Sequence, residues 1–147
     1  MKIFVLSAIS IVLVNILFCP MVMAAPPIPE EFQIVAPDPS LPKEISAFFG
    51  KYEGYNWPYK YFVIVAQIDK ENAILYMHRD GSGTGTHFGK IRTGWETINA
   101  QVFKERGKYQ LWYSSSHWME GNSEATLDGK YLKLTSHNGI IKLTRVP

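Results

Sequence analysis

The chain has 147 residues, a formal charge of +2, a single cysteine, 46% hydrophobic and 14% aromatic residues. That is enough for one domain around one core. It contains no long run of like charge, so a basic face for nucleic acid is unsupported, and the high aromatic content points to a β-rich protein.

The N-terminus reads as a targeting segment. Met1-Lys2 is a short positive start, and Ile3 to Phe18 is an apolar run of about sixteen residues, the length of a signal-peptide core and marginal for a membrane span. Val22-Met23-Ala24 offers small residues at a cleavage site, which places cleavage after Ala24, with Ala25 as a near alternative. Residues 1–24 are therefore expected to be a signal peptide, and an uncleaved anchor is the alternative. Phe18 before Cys19 and Pro20 after it make a poor lipoprotein signal, so Cys19 leaves with the signal. The expected mature chain is exported to the periplasm or beyond, keeps no stable membrane span, and crosses to an oxidising compartment without a disulfide.

Residues 25–43 carry Pro26, Pro27, Pro29, Pro37, Pro39 and Pro42 and read as an extended leader, since proline fixes φ and lacks the donor that a sheet needs. Ser40 is placed to cap a short helical turn over Leu41–Phe48. From Phe48 the pattern has period two, with Phe48, Gly50, Tyr52 and Gly54 on one face of a strand and Glu53 on the other. Tyr59–Ile68 is apolar on both faces and predicts the most buried strand. Lys70–Asn72 is a turn, and Ala73–His78 returns. Trp95–Lys104 puts Ile98, Ala100 and Val102 on one face, and Arg106-Gly107 turns the chain into Lys108–Ser115. Asp128-Gly129 and Asn138-Gly139 are hairpin signals, because such turns need positive φ. Leu132, Leu134, Ile141 and Leu143 face inward. Residues 44–147 are thus expected to form one all-β domain, a single up-and-down antiparallel barrel of about eight short strands after a short helical turn.

Phe48–Trp57, "FFGKYEGYNW", resembles the first strand of lipocalin-like, calycin-type barrels, which carry a Gly-x-Trp motif after a helical turn. The matching triplet is Gly50-Lys51-Tyr52, with tyrosine for tryptophan, and Gly54 follows. Such barrels also carry a basic residue near the end of the last strand that packs across the motif aromatic, a place that Arg145 would take. The resemblance extends to bacterial secreted proteins with a G-x-[WY]-x-G start and a closing "DG-x-L … L-x-R" hairpin. It covers about Ala47 to Val146, and it implies a barrel that binds a small apolar ligand.

Asp80–Ile91, "DGSGTGTHFGKI", holds four glycines and ends in Gly-Lys, as a phosphate loop would. Its spacing excludes that chemistry: a Walker loop needs glycine at Thr84 and a hydroxyl at Ile91. The dinucleotide pattern and the lipase elbow fail too, leaving a long connection at one end of a barrel. The four histidines, His78, His87, His117 and His137, show no metal-ligand spacing, and neither a metal nor a cofactor is expected. Glu53, Glu120 and Glu124 could serve a glycosidase only if two converged.

The aromatic residues Trp57, Tyr59, Trp95, Trp112, Tyr113 and Trp118 fall near strand ends. The expected site is a barrel mouth where a small apolar or amphipathic ligand enters beside the glycine loop, near His87, Phe88 and Arg92, and lies against Trp95, Trp112 and Tyr113. A filled barrel that recognises an envelope protein or a glycan is the alternative. An enzyme of hydrolase type using His87 with Arg92 or a nearby carboxylate is the second. No catalytic residue is assigned, and the sequence leaves the oligomeric state open.

Overall fold

A computed structural model describes residues 25–56, 58–80, 93–115, 122–136 and 139–147. The period-two segments form β1 (Gly50–Asn56), β2 (Tyr59–Ile68), β3 (Asn72–Asp80), β4 (Gly94–Glu105), β5 (Lys108–Ser114), β6 (Asn122–Asp128), β7 (Tyr131–Ser136) and β8 (Gly139–Val146), after one helical turn, α1 (Lys43–Ser46). Each strand pairs antiparallel with the next, and β8 returns to β1 through Tyr52 opposite Arg145, so the sheet closes into a barrel without a free edge. Among the described residues no helix is long and apolar enough to cross a membrane.

Alternation sorts the side chains. Tyr52, Val63, Val65, Leu75, Met77, Ile98, Leu111, Ala125, Leu132, Leu134 and Leu143 are sealed in one interior cluster. Leu41, Ile45 and Phe48 join the same cluster from α1 and its flanks, which close the end where β1 begins. Ser40 does not cap this turn. Its N–H bonds Asp38 Oδ1 at 2.7 Å, and Pro42 occupies the N-cap without a side-chain bond. The residue before a proline is held out of the helical region, so Leu41 cannot belong to the turn and the helix starts after Pro42.

The hairpins follow the expected chemistry with two changes of register. Arg106 (φ 49°) and Gly107 (φ 80°) form a two-residue loop between paired Glu105 and Lys108. Asp128 still pairs with Tyr131, so the next loop is Gly129-Lys130 rather than Asp128-Gly129, with Gly129 at φ 61°. Gly139 likewise pairs with Ser136 as the first residue of β8; Asn138 lies outside the described residues. The β2–β3 connection is tied by Asp69 Oδ1, which accepts the N–H groups of Glu71 at 2.7 Å and Asn72 at 2.8 Å. Those bonds hold its carboxyl below the ordinary range.

Glycine is required where β1 meets β8. A Cβ on Gly54 would sit 2.6 Å from Leu143 Cδ2 and 2.7 Å from the Lys142 carbonyl, and one on Gly50 (φ 141°) would sit 2.7 Å from the Arg145 guanidinium. That guanidinium lies over the Tyr52 ring, 4.9 Å from its centroid. It donates to the Phe49 carbonyl at 2.8 Å, to the Ala47 carbonyl and to Tyr52 Oη, while Tyr52 Oη–H donates to the Phe48 carbonyl at 2.9 Å. One side chain thus joins the last strand, the first strand and the C-terminal side of α1.

The two-sided apolar pattern of β2 has a specific cause. Its outward residues Phe62, Ile64 and Ala66 form a second cluster with Tyr76, and the leader lies on it. Phe32 stacks on Tyr76 with centroids 3.7 Å apart and planes within 4°. β2 bulges between Val65 and Gln67. The Ala66 carbonyl at that bulge accepts the Val35 N–H at 2.8 Å. Gln33 N–H donates to Tyr76 Oη at 3.2 Å, and Trp95 Nε1–H donates to the Pro27 carbonyl at 3.0 Å. The proline-rich segment is docked as a strap. Replacing Phe32 with alanine is expected to lower stability by about 2 kcal/mol, less than for a fully buried phenylalanine because Phe32 is only half-buried. A lower urea midpoint and red-shifted tryptophan emission, from the uncovered Trp95, would check it.

Candidate functional site

The end of the barrel opposite α1 is where β2 begins and β3 ends, and here the inward positions turn polar. Arg79, only 3% exposed, continues the inward row of Leu75 and Met77 on β3. Its Cζ lies 4.8 Å from the centroid of the Tyr59 ring. Glu96 precedes Ile98 and Ala100 in the inward row of β4 and stands opposite Met77, diagonal to Arg79. Its carboxylate accepts the Ser115 hydroxyl at 2.6 Å. Tyr113, 5% exposed, and Ser123, opposite it on β6, complete the inner wall.

Burial sets the protonation of this group. It pushes the Tyr61 phenol up to about 12, opposed by the neighbouring Arg79 guanidinium. It pushes Tyr113 up further, and the Glu96 carboxylate adds to the effect. Tyr113 therefore stays protonated at neutral pH as a donor. Its hydroxyl and that of Ser123 are both buried and have no hydrogen-bond partner among the described residues. Leaving such groups dry and unpaired costs about 1–3 kcal/mol each.

The expected aromatic wall does not assemble on one surface. Trp112 and Tyr113 are consecutive on β5 and point to opposite faces: Tyr113 lines the interior, while Trp112 is 48% exposed outside, beside Phe103. Trp95 is on the outer face too. It sits half-buried under the leader strap, edge-on to Phe32 at 5.2 Å, with His78 at 5.0 Å. His87, Phe88 and Arg92 lie outside the described residues, as do Trp57, His117, Trp118, Glu120 and His137. Glu53 faces outward and pairs with Lys60 at 3.4 Å.

Arg79, Glu96 and Ser123 were readable by strand phase, since each falls in step with inward neighbours. The aromatic count drew the reading away from them. No group of three or more potential metal ligands occurs among the described residues. His78, the one described histidine, faces outward and is 3.8 Å from Asp80, so no described imidazole shares the interior with Ser115. Among the described residues the Ser115 hydroxyl is bonded to the Glu96 carboxylate.

No family model, no curated protein and no solved structure matches the chain.

Two measurements probe this interior. The folded Tyr61 phenol titrates at about 12, against 10.0 for an ordinary tyrosine. Its stabilising contribution is therefore complete below pH 10 and is lost as pH rises through about 12. Urea unfolding at a series of alkaline pH values should show stability falling across that window. Tyr113→Phe, which deletes an unpaired buried hydroxyl, is expected to leave the unliganded protein as stable or up to about 1 kcal/mol more so.

Proposed function

We propose that the protein is an exported calycin-type barrel that binds a small amphipathic molecule at its polar end. The observation that carries this reading is the pair of sealed, unpartnered hydroxyls of Tyr113 and Ser123 beside the Arg79–Tyr59–Tyr61 and Glu96–Ser115 groups. A ligand atom that accepts from Tyr113 and Ser123 would remove the penalty of burying them unpaired. The Arg79 guanidinium favours a carboxylate or carbonyl there. Below this polar ring the interior is apolar, which suits a hydrocarbon or aromatic body.

Three features support the family and location. The N-terminal apolar run and small-residue cleavage site favour export. Gly50-Lys51-Tyr52 with Arg145 crossing the Tyr52 ring resembles the closure of calycin-type barrels. The absence of a cysteine after residue 24 is compatible with an oxidising compartment.

Native mass spectrometry of the protein purified from its own host is expected to reveal a co-purifying small molecule. Short- and medium-chain carboxylic acids, titrated by calorimetry beside the corresponding alkanes, are expected to bind where the alkanes do not. Tyr113→Phe should weaken the acids about five- to tenfold, by loss of one hydrogen bond. Absence of any co-purifying molecule and of acid binding would refute the proposal, as would affinity unchanged in Tyr113→Phe.

A further inference from the structure

Among the described residues the barrel has two aromatic patches on its outside, and the chain treats them differently. The patch of Phe62, Tyr76 and Trp95 is covered by its own leader strap. The patch of Phe103 and Trp112, both 48% exposed, is left open. These two rings stack at 5.8 Å with planes 29° apart, so Phe103 on β4 buttresses the diagonally placed Trp112 on β5 and holds its face to solvent.

The surroundings of Trp112 are polar. On one flank lies an open groove of about 330 Å³ whose outer lining is Asn72, Asn99, Gln101, Ser114 and Asn122. On the other flank is a second groove of about 320 Å³, with Asn122, Glu124 and Thr135 in its wall. Trp112 and Asn122 belong to both. Among the described residues the first groove contains no charged one, and in the second Glu124 is the one ionisable group. The Thr135 hydroxyl in the second groove is buried and has no hydrogen-bond partner among the described residues.

From this geometry we propose a second binding site, for a neutral oligosaccharide that crosses Trp112 and lies in both grooves. An exposed indole face offers an apolar platform to the C–H face of a pyranose ring. Planar amides, which both donate and accept, match the paired hydroxyls on a sugar's edge. The unpaired Thr135 hydroxyl is one more partner for a ligand hydroxyl. Apolar ligands would leave the amides unpaired, and the Glu124 carboxylate disfavours acidic sugars. This site is on the outside of the barrel and does not depend on the interior site around Tyr113.

The test uses the full mature chain and a panel of neutral oligosaccharides (α- and β-linked glucose, mannose, xylose and N-acetylglucosamine oligomers) beside uronic-acid oligomers, read by calorimetry and by retardation in polysaccharide-containing gels. At least one neutral series is expected to bind and to quench tryptophan emission, and the uronic acids are not. Trp112→Ala should weaken binding about tenfold or more, Asn122→Ala should weaken it less, and Trp112→Phe should retain part of it. Trp112 is exposed, so these variants should keep the wild-type circular dichroism and urea midpoint. Carboxylic-acid binding inside the barrel should be unchanged in them, and sugar binding should be unchanged in Tyr113→Phe. The proposal is overturned if no neutral sugar binds, or if binding survives Trp112→Ala. It is also overturned if sedimentation shows a dimer that Trp112→Ala dissociates, which would make this face an interface between two copies.

Discussion

Everything else in the molecule depends on the close approach of β1 to β8. A barrel of short strands encloses a core only if its last strand reaches its first, and here that contact is tight enough to exclude a β-carbon at Gly50 and Gly54. Arg145 then fastens the junction from the end. Its guanidinium meets the Tyr52 ring and the carbonyls of Ala47 and Phe49, so closing the sheet and seating α1 are one event. The exposed position of Arg145 keeps the ion partly in water, which avoids the penalty of burying a lone charge. What is buried is the phenol of Tyr52, pushed up in pKa by its surroundings and satisfied by the guanidinium and the Phe48 carbonyl.

Once the sheet is closed, its two faces obey different rules. The interior accepts every apolar side chain that alternation sends inward. The exterior should be polar, and β2 breaks that rule with Phe62, Ile64 and Ala66. The leader resolves the conflict locally, burying Phe32 against Tyr76 and using the carbonyl that the bulge at Ala66 releases from the ladder. A segment rich in proline suits this place because it makes few demands for backbone partners of its own and loses less entropy on docking than a flexible one. The compositional signal of a linker and the structural fact of a strap are compatible: proline dictates an extended chain, and Phe32 with Val35 decides where it lies.

That division explains how far the residues could be read in advance. Strand number, hairpin positions and the inward rows of β7 and β8 follow from alternation and turn chemistry, both local properties. The Gly50–Tyr52 and Arg145 relation was legible only as a resemblance, since it joins positions 93 residues apart. The expected aromatic wall is split between two faces because its side chains were grouped by sequence position near strand ends. On a strand the phase decides the face, and consecutive Trp112 and Tyr113 are necessarily on opposite sides. The same phase rule pointed to Arg79 and Glu96, whose inward positions carry more information than any aromatic, because a charged side chain in a barrel interior needs a reason. The docking of the leader had no local signal beyond the excess of apolar residues on β2.

The two ends of the barrel therefore stand in an energetic relation. At the closed end, α1, Tyr52 and Arg145 satisfy nearly every polar group they bury, and the interior beside them is wholly apolar. At the other end, buried hydroxyls of Tyr113 and Ser123 go unpaired among the described residues, and a cation and a carboxylate occupy inward positions of β3 and β4. A chain selected for stability alone would place Phe and Ala there and be the more stable for it. Retaining the polar set means that the unliganded barrel runs below its attainable stability at one end, with the closed end supplying the margin. That contrast between the two ends is what supports the polar end as the proposed binding site.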